Sequence, residues 1–183
     1  MNRLLFTTRR LLTAGALAAL GAANAQAQGG AIDPPATWDP AYWKHALSEI
    51  AAAQAQGNAL QAEAWCARWV PYAEAQTVRA LRAWAEFQDA RSPRSGGPAR
   101  LQAERLAGVL ADRVRRPAVG SANLGFVPDD ELRAYAQALR AAGHTDQAQA
   151  MGDLALAYRQ GQAAYIQRSL LMRQGRDPRG ECG

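Results

Sequence analysis

Apolar residues recur every three or four positions along most of this chain, the period of helices with one buried face. Trp43, Leu47 and Ile50 form the first such stripe. Asp39 is placed as its N-cap and Pro40 as its first helical residue, with Trp38 and Trp43 spaced as a hydrophobic staple. Gly57 ends it as a left-handed residue after the C-cap. The next stretch, Asn58 to Val70, carries Trp65 and Trp69 four residues apart, so both indoles leave one helical face. Asn58 is its N-cap, and Gln61 is spaced to complete a capping box. Pro71 is expected to break this helix or open a third, running to about residue 90. Val78, Leu81, Trp84, Ala85 and Phe87 mark the inner side of that third helix.

Arg91 to Pro98 is a loop by composition, and Pro98 opens a fourth helix. Its stripe is Ala103, Leu106, Ala107, Leu110 and Val114, and it stops at Pro117. Residues 117–127 have no helical period and are expected to form a loop that packs through Leu124 and Phe126. Pro128, Asp129, Asp130 and Glu131 then fill the first turn of a fifth helix, where acids suit the helix dipole. Leu132, Tyr135, Ala136 and Leu139 face inward, and Gly143 caps. A sixth helix starts near Thr145 with Ala148, Met151, Ala155 and Tyr158 inward. Gly161 either breaks it or sits inside one long helix reaching Gln174, followed by an irregular tail. No alternating run of β-branched residues marks a strand. The expected fold is all-α, with six or seven antiparallel helices in helical hairpins or an irregular bundle.

The first residues change the picture of where this fold works. Arg3, Arg9 and Arg10 precede the apolar run Leu11 to Ala23, and small residues at Ala23, Ala25 and Ala27 offer cleavage sites. This order is that of a signal peptide over 1–25, cut after Ala25 or Ala27, and the run is too short to be a membrane anchor. The pair Arg9-Arg10 leaves two routes open, general secretion or twin-arginine export. Residues 26–37 form a polar lead-in, expected to be mobile, ahead of one helical domain over 38–183. Either route leads to the periplasm or the outside, with no stable membrane span after cleavage.

Charge then excludes a class of partner. The net charge of +5 loses three arginines with the signal, leaving +2. A balance so close to neutral does not point to nucleic acid. The only two cysteines, Cys66 and Cys182, are expected to pair in an oxidising compartment.

Enzyme signatures are missing. His45 and His144 are the only histidines, and no His or Cys spacing suits a metal or haem. No nucleophile elbow or phosphate loop occurs, so no catalytic residue, metal or cofactor is assigned. All five tryptophans fall between residues 38 and 84. Each fits a stripe or a staple, which favours a core. The competing reading is an aromatic cleft formed by Trp43, Trp65, Trp69 and Trp84.

Leu132 to Leu156 resembles one tetratricopeptide repeat. Leu132, Ala136 and Leu139 match its large, small and large positions, Gly143 its turn, and Ala148 and Ala155 the small positions of its second helix. Gly152 departs from it, standing where a large aromatic is usual, and the 34-residue spacing does not recur. The resemblance implies a helical-hairpin scaffold that binds proteins or peptides. The expected function is thus a non-enzymatic, exported binding scaffold for an envelope protein or peptide. Its rival is a carrier or sensor of a small apolar ligand in a Trp-lined pocket.

Overall fold

The computed structural model describes residues 30–91, 97–116 and 124–182. The expected signal peptide and its expected cleavage sites lie outside the described residues. Among these residues the chain is all-helical, with five helices. They are α1 (Pro40–Ala55), α2 (Ala59–Arg91), α3 (Gly97–Arg115), α4 (Val127–Ala141) and α5 (Thr145–Arg173).

The local signals at α1 act as expected. Asp39 Oδ1 accepts from the Ala41 N–H at 2.8 Å, Pro40 opens the helix, and Gly57 has φ +68°. Asn58 Oδ1 accepts from the Gln61 N–H at 3.1 Å, and the two side chains bond each other at 3.0 Å.

Pro71 does not divide the helices. α2 runs through it for 33 residues, so the two helices expected on either side are one, and the count falls to five. A proline inside a helix removes the bond to the carbonyl four residues back. Here that residue is Ala67, which is exposed, as is Pro71 itself. The freed carbonyl belongs to the wet face of α2, where it is open to solvent rather than stranded in the core. The opposite face is anchored on both sides of the proline by buried Trp65, Trp69, Tyr72 and Ala73.

Gly161 likewise sits inside α5, a helix of 29 residues. A Cβ there would meet Val70 Cγ1 at 3.4 Å and the Trp69 ring at 3.8 Å. The glycine is a contact point that lets α5 lie against α2, and helix propensity gives way to packing.

α2 is the axis of the molecule, and it touches all four other helices. Its first half joins α1 and α5 through Trp43, Ile50, Trp65, Trp69 and Ala157. Midway, Val78 and Leu81 pack with Leu106 and Leu110 of α3 and Tyr158 of α5. On another side Ala80 meets Leu132 of α4 and Leu154 of α5. α4 and α5 form a hairpin about Gly143, whose φ is +86°. The matching positions Leu132, Ala136, Leu139, Ala148 and Ala155 are all buried.

Both ends of the described chain dock on this frame. Cys66 and Cys182 form a disulfide with Cα atoms 5.8 Å apart, and both are buried. Glu63 reinforces the joint, its two oxygens accepting from the Arg168 guanidinium at 2.7 Å each. Glu63 also accepts the Gly180 N–H at 2.9 Å, and Gln54 Nε2 donates to the Gly180 carbonyl at 2.8 Å. Gly180 has φ +78°, and a Cβ there would strike Ala62 at 2.8 Å, so only glycine fits. At the other end, residues 30–37, expected to be a mobile lead-in, lie as an irregular strap against α1 and α2. Tyr42 donates to the Ile32 carbonyl at 3.0 Å, and Ala31 is buried.

Two outcomes are expected. Trp69→Ala costs about 3–5 kcal/mol in denaturant unfolding, the range for truncating a buried aromatic. Trp69→Phe costs at least about 2 kcal/mol less, because it keeps most of the ring and removes an indole N–H that has no partner. A loss under about 1 kcal/mol for the alanine variant would contradict the burial.

The tail joint answers to both redox state and pH. The closed loop spans a sequence separation of 116, so the bond contributes roughly 4–5 kcal/mol by chain entropy. Intact mass of the non-reduced protein is about two units below the dithiol, and no alkylating agent is taken up before reduction. Hydrogen bonds from Arg168 hold the Glu63 carboxyl below its ordinary range, against burial and with help from the Gly180 N–H. Its stabilisation is therefore full above the unfolded carboxyl value of about 4.3 and is lost as pH falls through the lower folded value. The stability gap between the native chain and Glu63→Gln, measured by urea unfolding, narrows from pH 6 to pH 3. A constant gap would show that the carboxylate charge does not hold the tail.

Candidate functional site

The five tryptophans separate into two groups. Trp43, Trp65 and Trp69 are buried in the α1–α2–α5 core, with at most 3 % of their surface exposed. None of their indole N–H groups has a hydrogen-bond partner. These three form no cleft. Trp84 is half-buried near the far end of α2, where it stacks on Tyr135 of α4 at 5.3 Å. Its indole donates to Glu131 at 3.0 Å, and Phe87 completes the aromatic group 5.6 Å from Tyr135. Trp38, assigned by its position only to a staple, does more. It lies 6.2 Å from Trp43, stacks on Tyr72 at 5.5 Å, and donates to the Ala150 carbonyl of α5 at 2.9 Å.

Trp38 and Tyr135 help to wall an open cleft of about 330 Å³ between α2, α4 and α5. Its apolar lining includes Ala80, Ala83, Leu139, Met151 and Leu154. Gln76, Arg79 and Gln147 supply polar groups, and Arg79 and Gln147 are exposed at the rim. Helical spacing explains the α2 side. Residues 76, 79, 80 and 83 recur at three and four, one stripe of α2. On α5, residues 147, 150, 151 and 154 repeat that spacing.

The strap closes one end. Tyr72 accepts from the Asp39 N–H at 2.7 Å and donates to the Thr37 carbonyl at 2.6 Å. Gln76 Nε2 donates to the Ala36 carbonyl at 3.0 Å, and Arg79 donates to the same oxygen. Each contact reads a backbone group, so the strap is held by side-chain donors on α1 and α2. Burial raises the Tyr72 hydroxyl above its ordinary pKa, opposed by the Asp39 N–H, and it stays protonated as the Thr37 bond requires. Tyr135 is also raised, by burial first and then by the charge of Glu86.

A second polar cluster lies inside the bundle and away from the cleft. Glu74 of α2 pairs with Arg113 of α3, and Gln162 of α5 bonds Glu74 at 3.1 Å and Arg113 at 3.2 Å. Tyr158 is 3.5 Å from Arg113, and burial pushes its hydroxyl up to about 12. This network ties three helices together. Asp129 is fully buried at the start of α4, 2.6 Å from Arg133, with Oδ1 unpartnered, and burial raises its carboxyl above the usual range against the pull of Arg133. Among the described residues no group of three or more His, Cys, Asp or Glu is placed to hold a metal ion. His45 and His144 are both exposed on separate helix ends or faces.

None of the four candidate tryptophans lines the cleft; Trp84 only stacks on its wall residue Tyr135, and Trp38, Gln76 and Arg79 were not among the candidates. The missed signal was the α2 stripe 76-79-80-83, in which an arginine and a glutamine interrupt small apolar residues. No protein-family model, curated protein or solved structure matches the chain.

Tyr72→Phe removes both hydroxyl bonds, to Thr37 of the strap and to the Asp39 N-cap. It is expected to cost about 1–2 kcal/mol and to speed amide exchange at Asp39, read by hydrogen-exchange NMR. Unchanged exchange at Asp39 would show that the strap is fixed without Tyr72.

Proposed function

We propose that this is an exported, non-enzymatic binding protein of the cell envelope that holds a segment of another polypeptide in the α2–α4–α5 cleft. The observation that carries this reading is the cleft's form. It is open to solvent, walled by aromatic rings, lined by small and aliphatic side chains, and bounded by a few polar groups. A cleft of this kind admits one large side chain from a chain that continues outside it, whereas a carrier of a whole apolar molecule is better served by an enclosed cavity. Its volume is at the small end of the roughly 300–1,000 Å³ typical of ligand sites, which suits a single anchoring residue.

Two further features agree with it. The likeness of 132–156 to a tetratricopeptide hairpin implies a scaffold for peptides, and that hairpin supplies two walls of the cleft. The strap shows the neighbouring surface already holding a stretch of chain through its carbonyls. Export rests on the charged, apolar and small-residue order of the first 27 residues. Among the described residues no helix is long and apolar enough to cross a membrane. The second reading, a carrier of a small apolar ligand, draws on the same aromatic and aliphatic lining.

Selection of displayed random peptides against the mature, disulfide-bonded chain tests the proposal. Enriched sequences are expected to share a large apolar residue. Their binding is expected to fall at least about tenfold in Ala83→Trp, which fills the cleft from a half-buried position without touching the core. Enrichment insensitive to Ala83→Trp would remove the cleft from the function. Saturable uptake of decanoate, lost in the same variant and without any peptide enrichment, would favour the carrier.

A further inference from the structure

We propose that the occupant of the cleft is the free C-terminus of a polypeptide ending in a large apolar residue, with Arg79 receiving the terminal carboxylate. This rests on the peptide-binding reading above and adds the chemistry of the partner.

Arg79 is the one charged side chain in the cleft lining. It is exposed at the rim, and it has no ion-pair partner among the described residues. One of its donors is spent on the Ala36 carbonyl. That bond fixes the planar head against the strap and leaves the rest of its fork of N–H donors free. A guanidinium held in place, beside an apolar floor, is the arrangement that captures a carboxylate attached to an apolar group. Fixing the head also cuts the rotamer entropy that binding would otherwise cost.

The charges around the cleft give the bound chain a direction. Arg79 stands at the strap end. At the other end Glu131 accepts from Trp84, and the charge of Glu86 is felt by Tyr135. From residue 79 to residue 86 the α2 axis rises about 10 Å, or roughly three residues of extended chain. A terminal carboxylate is favoured beside Arg79 and disfavoured beside the two glutamates, so the chain leaves toward Trp84 and Phe87. The last side chain then drops between Trp38 and Tyr135 onto Ala80 and Leu154. A fatty acid offers the same carboxylate and apolar group, but its long tail exceeds a shallow site and would stay in water. Chain continuing toward the aromatic group at Trp84 uses the surface that a fatty acid leaves bare.

Fluorescence polarisation with the mature, disulfide-bonded protein tests this. The probe is a fluorescein-labelled peptide of glycine and serine ending in phenylalanine, as the free acid and as the amide. A peptide with the phenylalanine internal and unlabelled decanoate complete the set. The free acid is expected to bind at least about tenfold tighter than the amide. That advantage is expected to vanish in Arg79→Gln, to survive in part in Arg79→Lys, and to be unchanged in Arg105→Gln, an exposed arginine of α3. The acid–amide comparison on the unaltered chain is independent of how any variant folds. Equal binding of acid and amide, or an acid preference that persists in Arg79→Gln, would overturn the assignment. If the internal-phenylalanine peptide binds equally well and Ala83→Trp abolishes both, this inference fails and the peptide-binding reading stands. If decanoate binds and no peptide does, both fail.

Discussion

One surface contact governs the rest of the structure: the face of α2 that carries Trp65, Trp69 and Tyr72 against α1 and α5. It sets the path of α2 through Pro71, because the buried side chains lie on both sides of the proline and the freed carbonyl at Ala67 is on the opposite, wet face. A proline inside a helix costs about 3 kcal/mol. Burying an aromatic side chain is worth a comparable amount or more, and three of them bracket the proline within eight residues. Packing therefore outweighs the local breaker. The same contact fixes Gly161, since α5 can approach Trp69 and Val70 this closely only without a side chain at that point. With α2 continuous, α3 and α4 have a single long axis to pack on.

The polar groups inside the bundle specify this arrangement more than they stabilise it. Glu74, Arg113, Gln162 and Tyr158 come from three helices and bond one another in a fixed geometry, with only Arg113 Nε left without a partner in the cluster. A largely desolvated ion pair of this sort gives little net free energy, but breaking one member leaves a charge stranded. It thus penalises any rotation of α3 or α5 that an alanine-rich interface would tolerate. The indoles show the reverse balance. Trp43, Trp65 and Trp69 bury N–H groups without a partner, at a cost of about 1–3 kcal/mol each, offset by the area of their rings. Trp38, in the cleft wall, and Trp84, stacked behind Tyr135, have their N–H groups bonded.

How much of this was legible in the sequence depends on the range of the interaction. Signals spanning four residues or fewer held: Asp39 and Pro40 at the start of α1, Gly57 and Gly143 at turns, and the stripes of α3 and α4. The Cys66–Cys182 bond was legible because two cysteines allow only one pairing within the chain. Pro71 and Gly161 were misleading or ambiguous because their local propensity is opposed by contacts with residues elsewhere in the chain. The cleft was mostly hidden for the same reason. Trp38 meets Ala150, and Gln76 and Arg79 meet Ala36, at separations of 112, 40 and 43 residues. No spacing rule reaches that far. Trp84 reaches the cleft only by stacking on Tyr135, and its half-buried place could not be told from the buried places of Trp43, Trp65 and Trp69 without the fold.

The two docked ends are held by different chemistry, and this difference bears on the cleft. The tail is fixed by a covalent bond, by a carboxylate with two partners, and by a glycine that no other residue can replace. Its place depends on the identity of Glu63, Cys182 and Gly180. The strap is held through its own carbonyls, so most of its side chains are free to change without loss of those bonds. Ala31, buried in the core, and Asp33, paired with Arg68 at 3.5 Å, contribute side-chain contacts, and Trp38 does most, since it bonds α5, stacks on Tyr72 and walls the cleft at once. The wall of the site is thus set where the strap meets α1, at a residue fixed from three directions, while the strap beyond it is held mainly through its backbone. Arg79 couples these two parts, because the bond that holds Ala36 also orients the guanidinium at the rim. Loosening the strap would leave the apolar floor of α2, α4 and α5 intact and would disorder the charged group beside it. Docking of the N-terminal segment therefore governs the polarity of the cleft, and the helices together with Trp38 govern its shape.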